Sequence, residues 1–217
     1  MVSEPPRRAY DAGRRRDAAR RSRAQVLAAC RELLFRDGYQ ATTLRAVADR
    51  AGVSVETVYK TFGGKPGLVK ALWDITLAGD DDALVMAERP QLQEVWATRD
   101  PQVKLRRYAA FVRGVHERLA ALFALLVQAG PAVGEVLEAG ERERLTGVTA
   151  FVAHLAEAGV VRSGADRAHL ADSVWTLTGP GPFTRLTAER GWSADAYEGW
   201  LAALLVATLL EPAPGRD

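Results

Sequence analysis

Two short helical segments joined by about three residues constrain this chain more than any other feature, because helices joined so closely cross at a steep angle. Thr42 or Thr43 can cap the first, which runs to about Arg50 with Leu44, Val47 and Ala48 on its inner face. Gly52 can adopt the left-handed conformation that ends it. Ser54 can then cap the second, whose inner residues are Val58 and Phe62, and Gly63-Gly64 closes it. Lys65-Pro66 opens a third helix, since proline is tolerated in a first turn that lacks intrahelical N–H partners. Its apolar residues Leu68, Val69, Leu72, Trp73 and Ile75 continue to about Ala78.

The second helix of this pair turns Val55, Glu56, Thr57 and Lys60 outward, and Tyr59 carries a hydroxyl on a rigid ring. Lys65 stands at a helix N-terminus, where free N–H groups and the dipole already favour an anion. Charge is divided to match. Residues 1–70 hold 15 Lys+Arg against 7 Asp+Glu, and residues 71–217 hold 14 against 20. The first third is a cation and the rest an anion, so one end is suited to a polyanion. Helix, turn and helix of this spacing place the second helix in the DNA major groove.

The remaining pattern is helical throughout. Residues 1–16 combine a Pro pair, a Gly and five arginines with almost no apolar period, which predicts a disordered basic arm. From Asp17 a helix is expected, with Val26, Leu27, Cys30, Leu33 and Leu34 inward and Asp37-Gly38 as its stop. Cys30 therefore points into a core, and no histidine or second cysteine near it suggests a reactive thiol. Further helices are expected at 82–88, 91–98, 101–129, 131–158, 166–178, 182–190 and 194–210. No period-2 strand or internal repeat is evident, so the expected fold class is all-α. The longest apolar run, "LAALLVATLL", falls well short of the roughly 20 residues of a membrane span. With no apolar leader and a single cysteine, a cytoplasmic location is expected.

The stretch "TTLRAVADRAGVSVETVYKTFGGKPGLVKALWD", residues 42–74, resembles the DNA-binding domain of the TetR family of bacterial transcriptional regulators. Thr43, Ala51 to Ser54, Thr57, Tyr59, Phe62 and Lys65 fill the family's pattern. The resemblance implies a helix-turn-helix domain over 17–78, a larger helical effector-binding and dimerisation domain over 79–211, and a tail over 212–217. It implies phosphate contacts from Thr43, Tyr59 and Lys65, bases faced by Val55, Glu56 and Thr57, and Arg45, Ser54 and Lys60 on the same DNA-binding surface. Two positions depart from the pattern. Glu56 stands where a small residue is common, and Gly64 where a serine often caps the next helix. The Glu56 carboxylate can accept from a cytosine N4 or simply face the helix dipole.

Family members are homodimers with a double-stranded DNA operator and a small-molecule effector as partners, and repression is their usual mode. The last helix supports a dimer independently: Trp200, Leu201, Leu204 and Leu205 help make it apolar nearly all round, and such a helix at a chain end seeks cover from a second copy. Trp96, Phe111, His116, Phe123, His154 and Trp175 are candidates for an effector pocket, although each also suits an ordinary core. No metal-ligand spacing, phosphate-binding loop or nucleophile motif occurs, so neither a metal, a cofactor nor catalysis is expected. The alternatives from other classes are an all-helical small-molecule enzyme and a DNA-independent helical interaction protein.

Overall fold

The computed structural model describes residues 7–80 and 86–211, so the 212–217 tail lies outside the described residues. Two compact units divide them. One takes the chain through Ile75 together with Ala124–Val136, and the other takes Thr76–Phe123 and the chain from Leu137 onward.

The first unit begins with α1, Arg7–Ala41, whose helical path is interrupted at Gly38 (φ 78°, ψ 173°). That break is the stop expected at Asp37-Gly38, and a glycine adopts it without the steric cost a Cβ would bring. The helix starts ten residues earlier than expected. Residues 7–16 are helical rather than an irregular arm, because arginine and alanine are among the strongest helix formers and need no apolar stripe where the helix is exposed. Residues 1–6 lie outside the described residues. Val26, Leu27, Cys30, Leu33 and Leu34 are buried as their spacing predicts. Burial pushes the Cys30 thiol up to about 12, so it is a small core side chain and not a nucleophile.

Three short helices pack on α1: α2 (Leu44–Ala51), α3 (Val55–Phe62) and the start of α4 (Lys65–Ala78). Val47, Ala48, Val58, Leu68, Val69 and Leu72 close this core. The Arg50–Glu32 ion pair at 2.8 Å joins α2 to α1 at the surface. Tyr39 donates from its hydroxyl to the carbonyl of Ala132, 3.2 Å away in the Ala124–Val136 segment of the same unit.

The second unit contains α5 (Pro90–Ala97), most of α6 (Pro101–Gln128) and α7 (Gly134–Glu157), then α8 (Arg167–Leu177), α9 (Pro180–Thr184) and α10 (Ala194–Leu209). Asp166 and Ser193 cap α8 and α10 through their side chains. Two expected helices depart from the regular α pattern, and residues 82–85 of a third lie outside the described residues. Of 82–88 the structure describes one 3-10 turn, Met86–Glu88; residues 130–133 are likewise 3-10, led by Gly130 at φ 67°; and α9 passes into a π-helical turn over Arg185–Glu189. Gly130 and Pro131 begin the 130–133 turn and Pro180 begins α9, where a left-handed glycine or a missing donor interrupts a regular helix. Among the described residues no strand forms, and Val161 and Leu210 make an isolated antiparallel bridge. No helix among them is long and apolar enough to cross a membrane.

The core of this unit joins Leu105, Tyr108 and Val112 of α6 to Phe151 and Leu155 of α7, Val174 of α8 and Tyr197 of α10. Leu201 and Leu205 belong to it, each 0% exposed within the single chain. They are therefore not the interface residues expected from the sequence. Although α10 is apolar nearly all round, Leu201 and Leu205 are covered within the single chain. Trp200 and Leu204 remain partly exposed, and Gly199, Ala203 and Ala207 form the outward side.

Candidate nucleic-acid interface

The two motif helices are set by their caps. Thr43 Oγ1 accepts from Ala46 N at 3.1 Å, and Gly52 (φ 69°) ends α2 in the left-handed conformation with its N–H directed at Ala48 and Asp49 carbonyls. Ser54 Oγ accepts from Thr57 N at 3.1 Å and pairs with Thr57 Oγ1 at 2.8 Å. Thr43 and Ser54 are thus structural caps first, each worth about 1 kcal/mol to its helix. The Thr57 hydroxyl is engaged by Ser54 and does not point freely outward.

Around α3, Val58 and Phe62 turn inward while Val55, Glu56, Thr57, Tyr59 and Lys60 are exposed. Tyr59 is 62% exposed and Val55 40%, unusual for side chains of this kind. Glu56 occupies the first turn of α3, a place where a carboxylate is stabilised by the helix dipole. Arg45 and Asp49 approach to 4.0 Å, both largely exposed, a pair that contributes at most about 1 kcal/mol and leaves the guanidinium available.

Lys65 is placed differently from the sequence expectation. Its ammonium lies 4.0 Å from the centre of the Tyr39 ring and donates to the Tyr39 carbonyl, and burial lowers its pKa. It anchors the start of α4 to the end of α1. Its charge still sits beside the first turn of α4, but as a fixture of the fold with an internal partner.

One residue here escaped the sequence reading. A Cβ on Gly67 would lie 1.9 Å from the carbonyl oxygen of Phe62, so α3 and α4 meet so closely that only glycine fits. A glycine inside a helix gives no local signal for such a contact.

The candidate pocket residues of the second unit do not converge. Trp96 meets His154 edge-on, with centroids 4.6 Å apart, and Phe151 at 5.7 Å. His154 shares a 2.6 Å hydrogen bond with Lys104, which also donates to the Trp96 carbonyl at 3.3 Å. Desolvation and then the Lys104 charge lower the pKa of His154. His116 and Trp175 belong to a second cluster. His116 Nε2 is 3.1 Å from the Thr178 carbonyl and its ring stacks on Phe183 at 5.3 Å. Desolvation pushes His116 down to about 4, so the ring is neutral and donates to that carbonyl. Arg144 lies over the Trp175 ring at 4.8 Å and donates to the Trp175 carbonyl and to Thr178 Oγ1. The Tyr197 hydroxyl and the Trp175 indole N–H are buried with no hydrogen-bond partner, a cost of about 1–3 kcal/mol each. Arg144, Thr178 and Tyr197 were not singled out from the sequence, because no spacing rule links α7, α8 and α10.

Phe111 stacks beside Tyr108 at 6.2 Å and also lines a cavity of about 130 Å³ with Met86, Arg89, Gln91 and Arg118. Ligand pockets usually measure about 300–1,000 Å³, so this one admits only a fragment unless it widens. Phe123 lies further along α6, half-buried. Among the described residues no three His, Cys, Asp or Glu side chains are grouped to hold a metal ion.

Residues 26–72 match the family model for bacterial regulatory proteins of the tetR family. The uncharacterized HTH-type transcriptional regulator YvkB of Bacillus subtilis is 44% identical over 48 residues, a match spanning 22% of this chain and 25% of that regulator. Among solved structures, NalD, the secondary repressor of the MexAB-OprM multidrug efflux pump in Pseudomonas aeruginosa, is 20% identical with a TM-score of 0.65, covering 89% of this chain and 98% of NalD. The regulator FadR of Bacillus subtilis, solved with stearoyl-CoA, is 16% identical with a TM-score of 0.63, covering 85% of this chain and 98% of FadR. The TM-scores show a shared all-helical fold. The segment over residues 26–72 is thus similar to the N-terminal domain of the tetR family of bacterial regulatory proteins.

Proposed function

We propose that the protein is a ligand-responsive transcriptional regulator, a repressor that binds a pseudo-palindromic operator as a homodimer in the cytoplasm and is released by a small-molecule effector. The observation that carries this reading is the outward side of α3, where Val55, Glu56, Thr57, Tyr59 and Lys60 are exposed on a helix capped at both ends. A rigid helix displaying donors, an acceptor and a methyl-bearing side chain suits base edges in a major groove. Tyr59 and Arg45 serve phosphates; Lys65, held on Tyr39, adds its field to the first turn of α4.

The dimer is assigned to the outward side of α10, with Trp200, Gly199, Ala203, Leu204 and Ala207, beside the exposed His169, Ser173 and Thr176 of α8. Small residues there let helices of two subunits approach closely. The effector is assigned to the cluster of His116, Arg144, Trp175, Thr178 and Tyr197, since two orphaned buried donors gain partners from a ligand that carries an acceptor. NalD represses a multidrug efflux pump and FadR was solved with stearoyl-CoA, which supports largely apolar ligands as the class to screen.

The test is duplex binding followed by fluorescence anisotropy, using a duplex selected from a random pool. Tyr59→Phe removes one hydroxyl and should weaken binding by roughly 10-fold or more if that hydroxyl meets a charged phosphate. A compound that releases the DNA must itself bind less tightly to the DNA-bound protein by the same factor. Turnover of such a compound would favour an enzyme instead.

A further inference from the structure

Lys104 is the one lysine among the 14 Lys+Arg of residues 71–217, and the other 13 are arginine. The two types are not interchangeable: a guanidinium keeps its charge in any protein setting, whereas a buried ammonium can release a proton and become a nucleophilic amine. Lys104 stands in the first turn of α6 and is 5% exposed. Its nitrogen donates to His154 Nε2 at 2.6 Å and to the Trp96 carbonyl at 3.3 Å. Burial lowers the Lys104 pKa, and the positive end of the α6 dipole disfavours a cation there as well.

Asp100 Oδ1 caps α6 by accepting from Val103 N at 2.8 Å, and Arg107 donates to Thr98 Oγ1 at 2.9 Å. On α7, burial and then the Lys104 charge lower the His154 pKa, while Glu157 opposes them more weakly. The imidazole is therefore neutral, with a lone pair on Nε2 facing the Lys104 nitrogen. No carboxylate among the described residues forms an ion pair with Lys104. A buried ammonium without an anion is costly, and loss of its proton removes that cost. Trp96 and His154, in edge-on contact at 4.6 Å, are both partly exposed, so Lys104 lies one side chain below the surface. It does not line the cavity of about 130 Å³, so a molecule that reaches its nitrogen must be small.

We propose that Lys104 captures small aldehydes as a reversible imine, with His154 as the base that moves its protons. Nζ of the neutral amine forms a bond to the carbonyl carbon as the C=O π pair moves onto oxygen. His154 Nε2 takes one N–H proton and returns it to that oxygen. The nitrogen lone pair then forms C=N as the C–O bond breaks, and the oxygen leaves as water with the second N–H proton. None of these residues belongs to the DNA surface or to the His116 cluster, so the reaction is independent of the regulatory role proposed above.

The experiment treats the full chain with acetaldehyde and sodium cyanoborohydride, which reduces an imine to a stable secondary amine, and follows each lysine by peptide mass spectrometry. The chain has four lysines, Lys60, Lys65, Lys70 and Lys104, and the exposed Lys60 is the reference. At about pH 6.5, where an ordinary lysine is almost wholly protonated, Lys104 should be labelled about 5-fold faster than Lys60 or more. The ratio should narrow toward about pH 10, and in urea, where the fold that buries the amine is gone, it should fall to about one. His154→Gln keeps an acceptor for Nζ but removes the base, and should slow Lys104 labelling about 10-fold or more at unchanged circular dichroism. Wild-type Lys104 labelled no faster than Lys60, or labelled at the same rate in folded His154→Gln, would overturn the proposal. Should that variant unfold, the ratio in the wild-type chain, folded against in urea, decides by itself.

Discussion

The Lys65 ammonium and the Tyr39 ring lie 4.0 Å apart, with the Tyr39 carbonyl accepting from the same ammonium. One side chain thereby ties the end of α1 to the start of α4 and places a charge beside the proposed DNA surface. Lys65→Ala should cost about 1–3 kcal/mol of stability in urea unfolding, from a charged hydrogen bond and a cation–π contact. After correction for the folded fraction, duplex binding should still weaken for all sequences alike. A variant of wild-type stability would mean that the Tyr39 contact contributes nothing.

Gly67 makes a sharper structural demand. Gly67→Ala drives a methyl group into the Phe62 carbonyl at 1.9 Å, and a backbone atom cannot move aside as a side-chain tip can. The expected cost is about 2 kcal/mol or more, with α3 displaced. Thermal unfolding and duplex binding should both suffer, whereas Gly147→Ala, in open space on α7, should leave both intact or improve stability.

The two sides of α10 predict opposite outcomes. Leu201→Arg or Leu205→Arg buries an unpaired charge within a single chain and should cost several kcal/mol, giving unfolded or aggregated protein. Leu204→Arg and Ala203→Arg fall on the outward side and should leave the fold intact while yielding monomers in sedimentation. Folded dimers from both outward variants would place the interface elsewhere.

His116 predicts how stability responds to acid. Burial lowers its pKa to about 4 in the fold against an ordinary 6.5, so the unfolded chain binds the proton more readily. The stabilisation is complete above about pH 6.5 and is lost as pH falls toward 4, with about 3 kcal/mol forfeited there. His116→Gln should unfold at lower urea at neutral pH but show a flatter decline between pH 6.5 and 4. An identical pH profile would show that burial does not lower the His116 pKa in the fold.

The motif helices were legible because caps, turn glycines and apolar period agree. Thr43, Gly52, Ser54 and Gly63 act where their local chemistry indicates. Over residues 7–16 the charge predicts disorder while the helix propensity points the other way, and the chain there is helical. Leu201 and Leu205 show what periodicity omits: it identifies an apolar side but not whether the same chain or a second copy covers it. Arg144 of α7, Thr178 just past the end of α8 and Tyr197 of α10 meet only after folding, and Lys65 has a partner 26 positions away. No sequence spacing encodes such contacts.

The central claim is that the exposed side of α3 reads DNA sequence. Selection of duplexes from a random pool, with wild-type protein and with Val55→Ala and Glu56→Gln variants, tests it most directly. Wild type should enrich a pseudo-palindrome, and each variant should enrich a site altered at one or two symmetric positions, with single-base preferences changed by about 1–3 kcal/mol. No enriched sequence with wild type, or one unaltered consensus from all three proteins, would contradict it.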